Sequence, residues 1–168
     1  LDWYVFTTAL TAYDNFGKNS HVYIDSDGPD RRFRYIPWDM NATFGQSWNR
    51  TPLSALELGK GSTVAPSYNG IWQRIVESPT LRARLEARYA AALQGPMSKA
   101  ATLELFDQMI AEVRPSALRD DRKWNEARKT YSLWAALKSD ATFDTERATM
   151  RKWIDERWSY LTPLYVTP

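Results

Sequence analysis

From Ile71 onward the sequence carries apolar side chains at helical spacing, punctuated by proline and glycine, and this confines most of the chain to a set of amphipathic helices. Ile71, Trp72, Ile75 and Val76 make one stripe. After Pro79, a second stripe of Leu81, Leu85, Tyr89 and Leu93 ends at Gly95-Pro96. A third helix is predicted from about Ser98 through Leu103, Phe106, Ile110 and Val113 to Pro115. A fourth, over about 116–139, places Trp124, Ala127, Tyr131, Trp134 and Leu137 or Lys138 on one face. The last takes Asp144 or Thr145 as its cap and buries Met150, Trp153, Ile154 and Leu161. Trp72, Trp124, Trp134, Trp153 and Trp158 fit these stripes as core residues. The sign-alternating run Arg119-Asp120-Asp121-Arg122-Lys123 reads as a solvated helix face with i,i+4 pairs.

Ahead of the helices the pattern changes. Trp3, Phe6, Leu10 and Tyr13 predict a helix over residues 1–13, and Asn15-Phe16-Gly17 breaks it as a turn. His21–Asp25 is a strand candidate, and Arg32–Ile36 alternates polar with apolar. Between them, Asp27-Gly28-Pro29-Asp30 is turn chemistry, so the two form a β-hairpin stopped by Pro37. Residues 46–70 are loop-like, with Pro52, Gly59, Gly61, Pro66 and Gly70 scattered through them, and a stretch of that length is usually functional or mobile. The expected class is α+β: one domain over residues 1–168, mainly helical, with one hairpin near the N-terminus. Because the chain opens on Leu1 in mid-helix, it reads as the C-terminal part of a longer protein whose N-terminal lobe lies upstream.

Several functions are excluded by residue type. With no cysteine, there is no disulfide, no thiolate zinc site and no cysteine nucleophile. The lone histidine, His21, leaves no pair for a histidine-rich metal site, and on its strand it reads as a packing or surface residue. Twenty-two basic against 20 acidic side chains give a net charge of +2, which argues against a nucleic-acid partner. No apolar run is long enough to span a bilayer.

One constellation carries chemistry. Asp14 and Asn19 stand five apart between a helix and the hairpin, and Pro37-Trp38-Asp39 delivers a second carboxylate after it. Helix, Asp-x-x-x-x-Asn loop, hairpin, Asp is the order in which kinases set the residue that orients the attacking hydroxyl, then the two metal ligands. Phosphoryl transfer needs in-line positioning and neutralisation of triphosphate charge, which hard cations held by oxygen ligands supply.

The wording around Asp39 is more specific. Arg34-Tyr35-Ile36-Pro37-Trp38-Asp39-Met40-Asn41-Ala42-Thr43-Phe44-Gly45 resembles the pattern Phe-x-Ile-Pro-Trp-Asp-Leu-Asp-x-Thr-Phe-Gly of the CotH (spore coat protein H) family of atypical kinases. Asn19-Ser20-His21-Val22-Tyr23 resembles the Asn-x-x-x-Tyr segment that precedes it there, and Arg157 lies in a final helix like the family's. The resemblance implies the C-terminal lobe of an atypical protein-kinase-like fold. It implies ATP with Mg2+ (or Mn2+) as cofactor and a coat or surface protein as substrate, in an extracytoplasmic, cell-surface or spore-coat setting. Asp14 would be the catalytic Asp, Lys18 and Asn19 would meet the nucleotide, and Asn19, Asp39 and Asn41 would hold the metal. The alternative on the same fold is a pseudokinase or a structural binding module. Asn41 stands where the pattern has a second acidic residue, keeping an oxygen ligand but losing a charge. Phe16 stands where ordinary kinases place a lysine, leaving Lys18 as the nearest.

Other motifs carry less. Gly59-Lys60-Gly61-Ser62 lacks the spacing of a phosphate loop, and no Val-Ala-Ile-Lys strand is present. Asp25–Ile36 begins like a calcium loop but has Ile36 where a bidentate Glu is needed, so a plain turn is expected. Asn41-Ala42-Thr43 and Asn49-Arg50-Thr51 match the glycosylation sequon, a pattern short enough to recur by chance.

Overall fold

The computed structural model describes residues 1–47, 52–130 and 141–166. The order is α1 (Asp2–Ala9), α2 (Asp14–Gly17), β1 (Ser20–Tyr23), β2 (Arg34–Pro37), α3 (Val64–Ser67), α4 (Gly70–Glu77), α5 (Pro79–Gln94), α6 (Lys99–Lys129) and α7 (Phe143–Tyr165). This is the expected α+β arrangement, helical in the main with one antiparallel hairpin. Asn49-Arg50-Thr51, Tyr131, Trp134, Leu137 and Lys138 lie outside the described residues.

The core gathers where α1, α4, α5 and α7 meet. Trp3, Tyr4, Val5 and Ala9 of α1 pack with Trp72 of α4, Leu85, Tyr89 and Leu93 of α5, and Ile154, Trp158 and Leu161 of α7. Six local expectations are corrected. The first helix stops at Ala9, because Thr11 adopts a left-handed φ of 53° and α2 restarts at Asp14. Ile71, in the first turn of α4, is 66% exposed, so that stripe buries Trp72 fully and Ile75 only in part. The third and fourth predicted helices are one. Pro115 removes a single backbone donor from α6, while Asp107 and Arg114 on the same side hold α7 through Arg151 and Asp144. Trp124 is 47% exposed rather than core. The cap of α7 is Thr142, whose hydroxyl accepts from Thr145 N–H in a reciprocal capping box, with Asp144 in the first turn. A short helix, α3, interrupts the 46–70 segment.

One buried charge holds the parts together. Arg157 of α7 has no exposed surface, and its guanidinium donates to four carbonyls: Thr8 at 2.9 Å, Ala9 at 3.0 Å, Ala55 at 2.9 Å and Glu57. The first two belong to the last turn of α1, where carbonyls run out of helical partners and Thr8 O accepts only a further N–H from beyond the helix, that of Thr11 at 3.3 Å. Burial pulls the Arg157 guanidinium below its ordinary value, yet arginine stays protonated in proteins. Trp153 and Trp158 of α7 repeat the device, donating to Leu53 O at 3.0 Å and Met97 O at 2.6 Å.

Replacing Arg157 with Met keeps the bulk and takes the guanidinium donors from these carbonyls, of which Thr8 O keeps a bond from Thr11 N–H. R157M is expected to lose at least about 3 kcal/mol in urea denaturation, because each buried acceptor left unpaired costs about 1–3 kcal/mol. R157K should fall between, since a lysine cannot span the fork; a Lys variant as stable as the parent would remove the role of the guanidinium geometry. The α6–α7 contact adds a pH dependence. Hydrogen bonds from Arg151 and Arg114 hold the carboxyls of Asp107 and Asp144 below the ordinary 3.8. Depressed carboxyls stabilise the fold above their unfolded value and cease to as pH falls through the folded one. The urea midpoint is therefore expected to drop below about pH 4, and the D107N/D144N double variant to flatten that slope.

Candidate functional site

The hairpin brings two distant residues to one end. Ser20 pairs with Pro37 in the antiparallel register, so Asn19, just before β1, and Trp38-Asp39, just after β2, emerge side by side. Asn19 Nδ2 donates to Asp39 Oδ2 at 3.2 Å. Both residues have left-handed backbones, φ 50° and 52°, a region that Asn and Asp enter more easily than other non-glycine residues. Non-glycine residues held there by their surroundings concentrate at functional sites.

What holds them is Asn15. Its side chain is buried, and Nδ2 donates to Asn19 O and to Trp38 O, each at 2.8 Å. A single amide thus clamps the two segments that carry Asn19 and Asp39. Asn15 sits in α2 beside Asp14, and α2 is seated in turn by Asn69 Nδ2, which donates to Phe16 O at 2.9 Å. Gly17 approaches Tyr68 O so closely that a Cβ would lie 2.8 Å from it. Further on, Phe44 N–H donates to Leu10 O at 3.1 Å, and Gly45, at φ 82°, lies against the Trp153 ring where no side chain fits. Asp39 is therefore fixed from both sides.

Asp14 opens α2, and its partner is Lys18, whose Nζ lies 3.2 Å from Oδ1. The lysine side chain is 68% exposed against 21% for Asp14, so this is a surface pair of little energetic weight. Neighbouring Tyr13 donates its hydroxyl to Glu57 Oε2 at 2.7 Å, and burial with that carboxylate pushes the phenol well above its ordinary value. Asn41 is exposed two residues beyond Asp39 and is not joined to the Asn19–Asp39 pair. His21, exposed on β1, meets Trp38 edge to face with centroids 5.8 Å apart. Asp25 accepts from the amides of Asp27 and Gly28, the plain turn expected there.

The five residues singled out from sequence thus fall into two joined pairs and an outlier. Asn15, which organises them, was passed over as a turn residue. Its only signal was an amide side chain beside Asp14, which sequence spacing does not distinguish from a helix-ending Asn. In donor chemistry the Asn19–Asp39 pair suits a hard cation. With Nδ2 engaged, Asn19 keeps its Oδ1 as an acceptor beside a residue that contributes a carboxylate, and Mg2+ is commonly held by one or two carboxylates with waters and phosphate oxygens completing the shell. Among the described residues no cluster of three His, Cys, Asp or Glu side chains offers a closed protein cage.

The hairpin thus joins an Asn and an Asp beside a short helix that carries a further Asp. The chain belongs to the CotH kinase protein family, whose model it matches over residues 1–161. No curated protein and no solved structure matches the chain. Among the described residues no helix is long and apolar enough to cross a membrane.

Asn15→Ala removes the donor shared by two carbonyls. It is expected to cost about 1–3 kcal/mol and to raise amide hydrogen exchange at residues 19–21 and 38–40 above that of α5. Exchange unchanged at those amides would show that the segments are held without the clamp.

Proposed function

We propose that this region forms the nucleotide–metal half of an ATP-dependent protein kinase, with transfer to a hydroxyl of a protein substrate. The observation that carries the reading is the convergence of Asn19 and Asp39 at 3.2 Å, in a chain of the CotH kinase protein family. Asp39 and the Oδ1 of Asn19 would hold Mg2+ or Mn2+, with Asn41 as a further oxygen donor nearby. The cation, when bound, neutralises charge on the triphosphate. Asp14 orients the acceptor hydroxyl and takes its proton. Its partner Lys18 shares that carboxylate in the absence of substrate and is long and exposed enough to turn toward a phosphate oxygen. Asn15 keeps the ligand-bearing segments in register.

A second reading, a pseudokinase or a coat or surface binding module on the same fold, is favoured by Asn41 in place of an acid and by the Lys18 pairing of Asp14. The two separate in one experiment on the full-length protein. With ATP labelled at the γ-phosphate, and Mg2+ or Mn2+, label is expected to enter protein. D14A should lower the rate at least about a hundredfold, the scale of a lost general base, while keeping nucleotide affinity. D39A should lose nucleotide binding and transfer together. ATP binding without transfer by the parent would support the binding module, and equal transfer by all three proteins would overturn the enzyme.

A further inference from the structure

Away from the Asn19–Asp39 pair, a cavity of about 140 Å³ lies between α1, α5, the end of α7 and the 58–63 segment. Its floor is buried: Tyr4 and Thr8 of α1, Ala65 of α3, Leu85 and Tyr89 of α5. The Thr8 and Tyr89 hydroxyls are hydrogen-bonded to each other, and Tyr89 stacks on Tyr165 with centroids 4.1 Å apart and planes 6° apart. The polar groups at this end of the floor are therefore satisfied, and an aromatic wall remains. Cavities of roughly 150 Å³ with apolar walls accept a benzene-sized ring.

The rim is charged. Lys60 Nζ pairs with Glu86 Oε2 at 2.9 Å and lies 5.8 Å from the Tyr165 ring centroid. The loop that carries Lys60 has this shape because of its two glycines. A Cβ on Gly59 would collide with the Tyr160 hydroxyl, and Gly61 has φ 81°, which side chains rarely adopt. Gly59-Lys60-Gly61 is thus a shaped wall of the cavity, although its spacing excludes a phosphate loop. With Glu86 balanced by Lys60, the remaining charge is Arg82, which is exposed and makes no ion pair among the described residues.

We propose that this cavity is a binding site for a small aromatic anion: a single ring beside the stacked Tyr89–Tyr165 pair, with its carboxylate or other anionic group on the Arg82 guanidinium. An apolar slot with one unbalanced cation at its mouth selects for that chemistry over a neutral ring or a cation. The proposal stands apart from the phosphotransfer reading, since none of these residues takes part in it.

Benzoate is the probe and toluene the neutral control, each titrated into the isotope-labelled protein with amide resonances recorded. Benzoate is expected to shift the amides of Thr8, Leu85 and Tyr89 saturably, and R82Q to weaken it about tenfold, the worth of one charge-assisted bond. Toluene should shift the same amides equally in both proteins, which shows the cavity intact. Benzoate that leaves those amides unmoved, or that binds R82Q as well as the parent, overturns the proposal.

Discussion

The stretch of chain that leads into the candidate site is anchored by a buried guanidinium. Arg157 puts its donors on carbonyls from the end of α1 and from the 55–57 segment, and among the described residues it forms no ion pair with a carboxylate. A charge taken wholly out of water is tolerable because each bond to it is charge-assisted and because the helix end it caps carries partial negative charge. The consequence is positional. The last turn of α1 cannot move without unmaking those bonds, and the chain reaches Asp14 only five residues after Ala9.

From that fixed point the site is assembled by neutral amides. Asn69 seats α2, Asn15 clamps the Asn19 and Trp38 carbonyls, and Asn19 meets Asp39. Side-chain amides suit this task, because they can join backbone segments without adding charge next to the Asp39 carboxylate. The left-handed backbones of Asn19 and Asp39 are the local cost of turning both side chains to the same place.

The parts legible in sequence were those set by local chemistry. The hairpin followed from Asp27-Gly28-Pro29-Asp30 between alternating strands, and α5 from Pro79, the Leu85, Tyr89, Leu93 stripe and Gly95. The meeting of Asn19 and Asp39 at one end followed from the hairpin that separates them. The parts that escaped depend on distant contacts. Pro115 reads as a helix end, but Asp107 and Arg114 in the turns before it are already tied to α7, and the helix continues. Trp124 looks like core by spacing, but α6 has no fully buried residue to continue a core stripe. Asn15 and Arg157 act on carbonyls, which every residue has, so no spacing marks them.

Mn2+ reports directly, through paramagnetic broadening, on the nucleotide-dependent cation site proposed at Asn19 and Asp39. In the full-length protein with ATP, substoichiometric Mn2+ is predicted to broaden the amide resonances of Asn19, Ser20, Trp38 and Asp39 first, and to spare them in D39A. Broadening centred elsewhere, or the same pattern in D39A, would contradict the assignment.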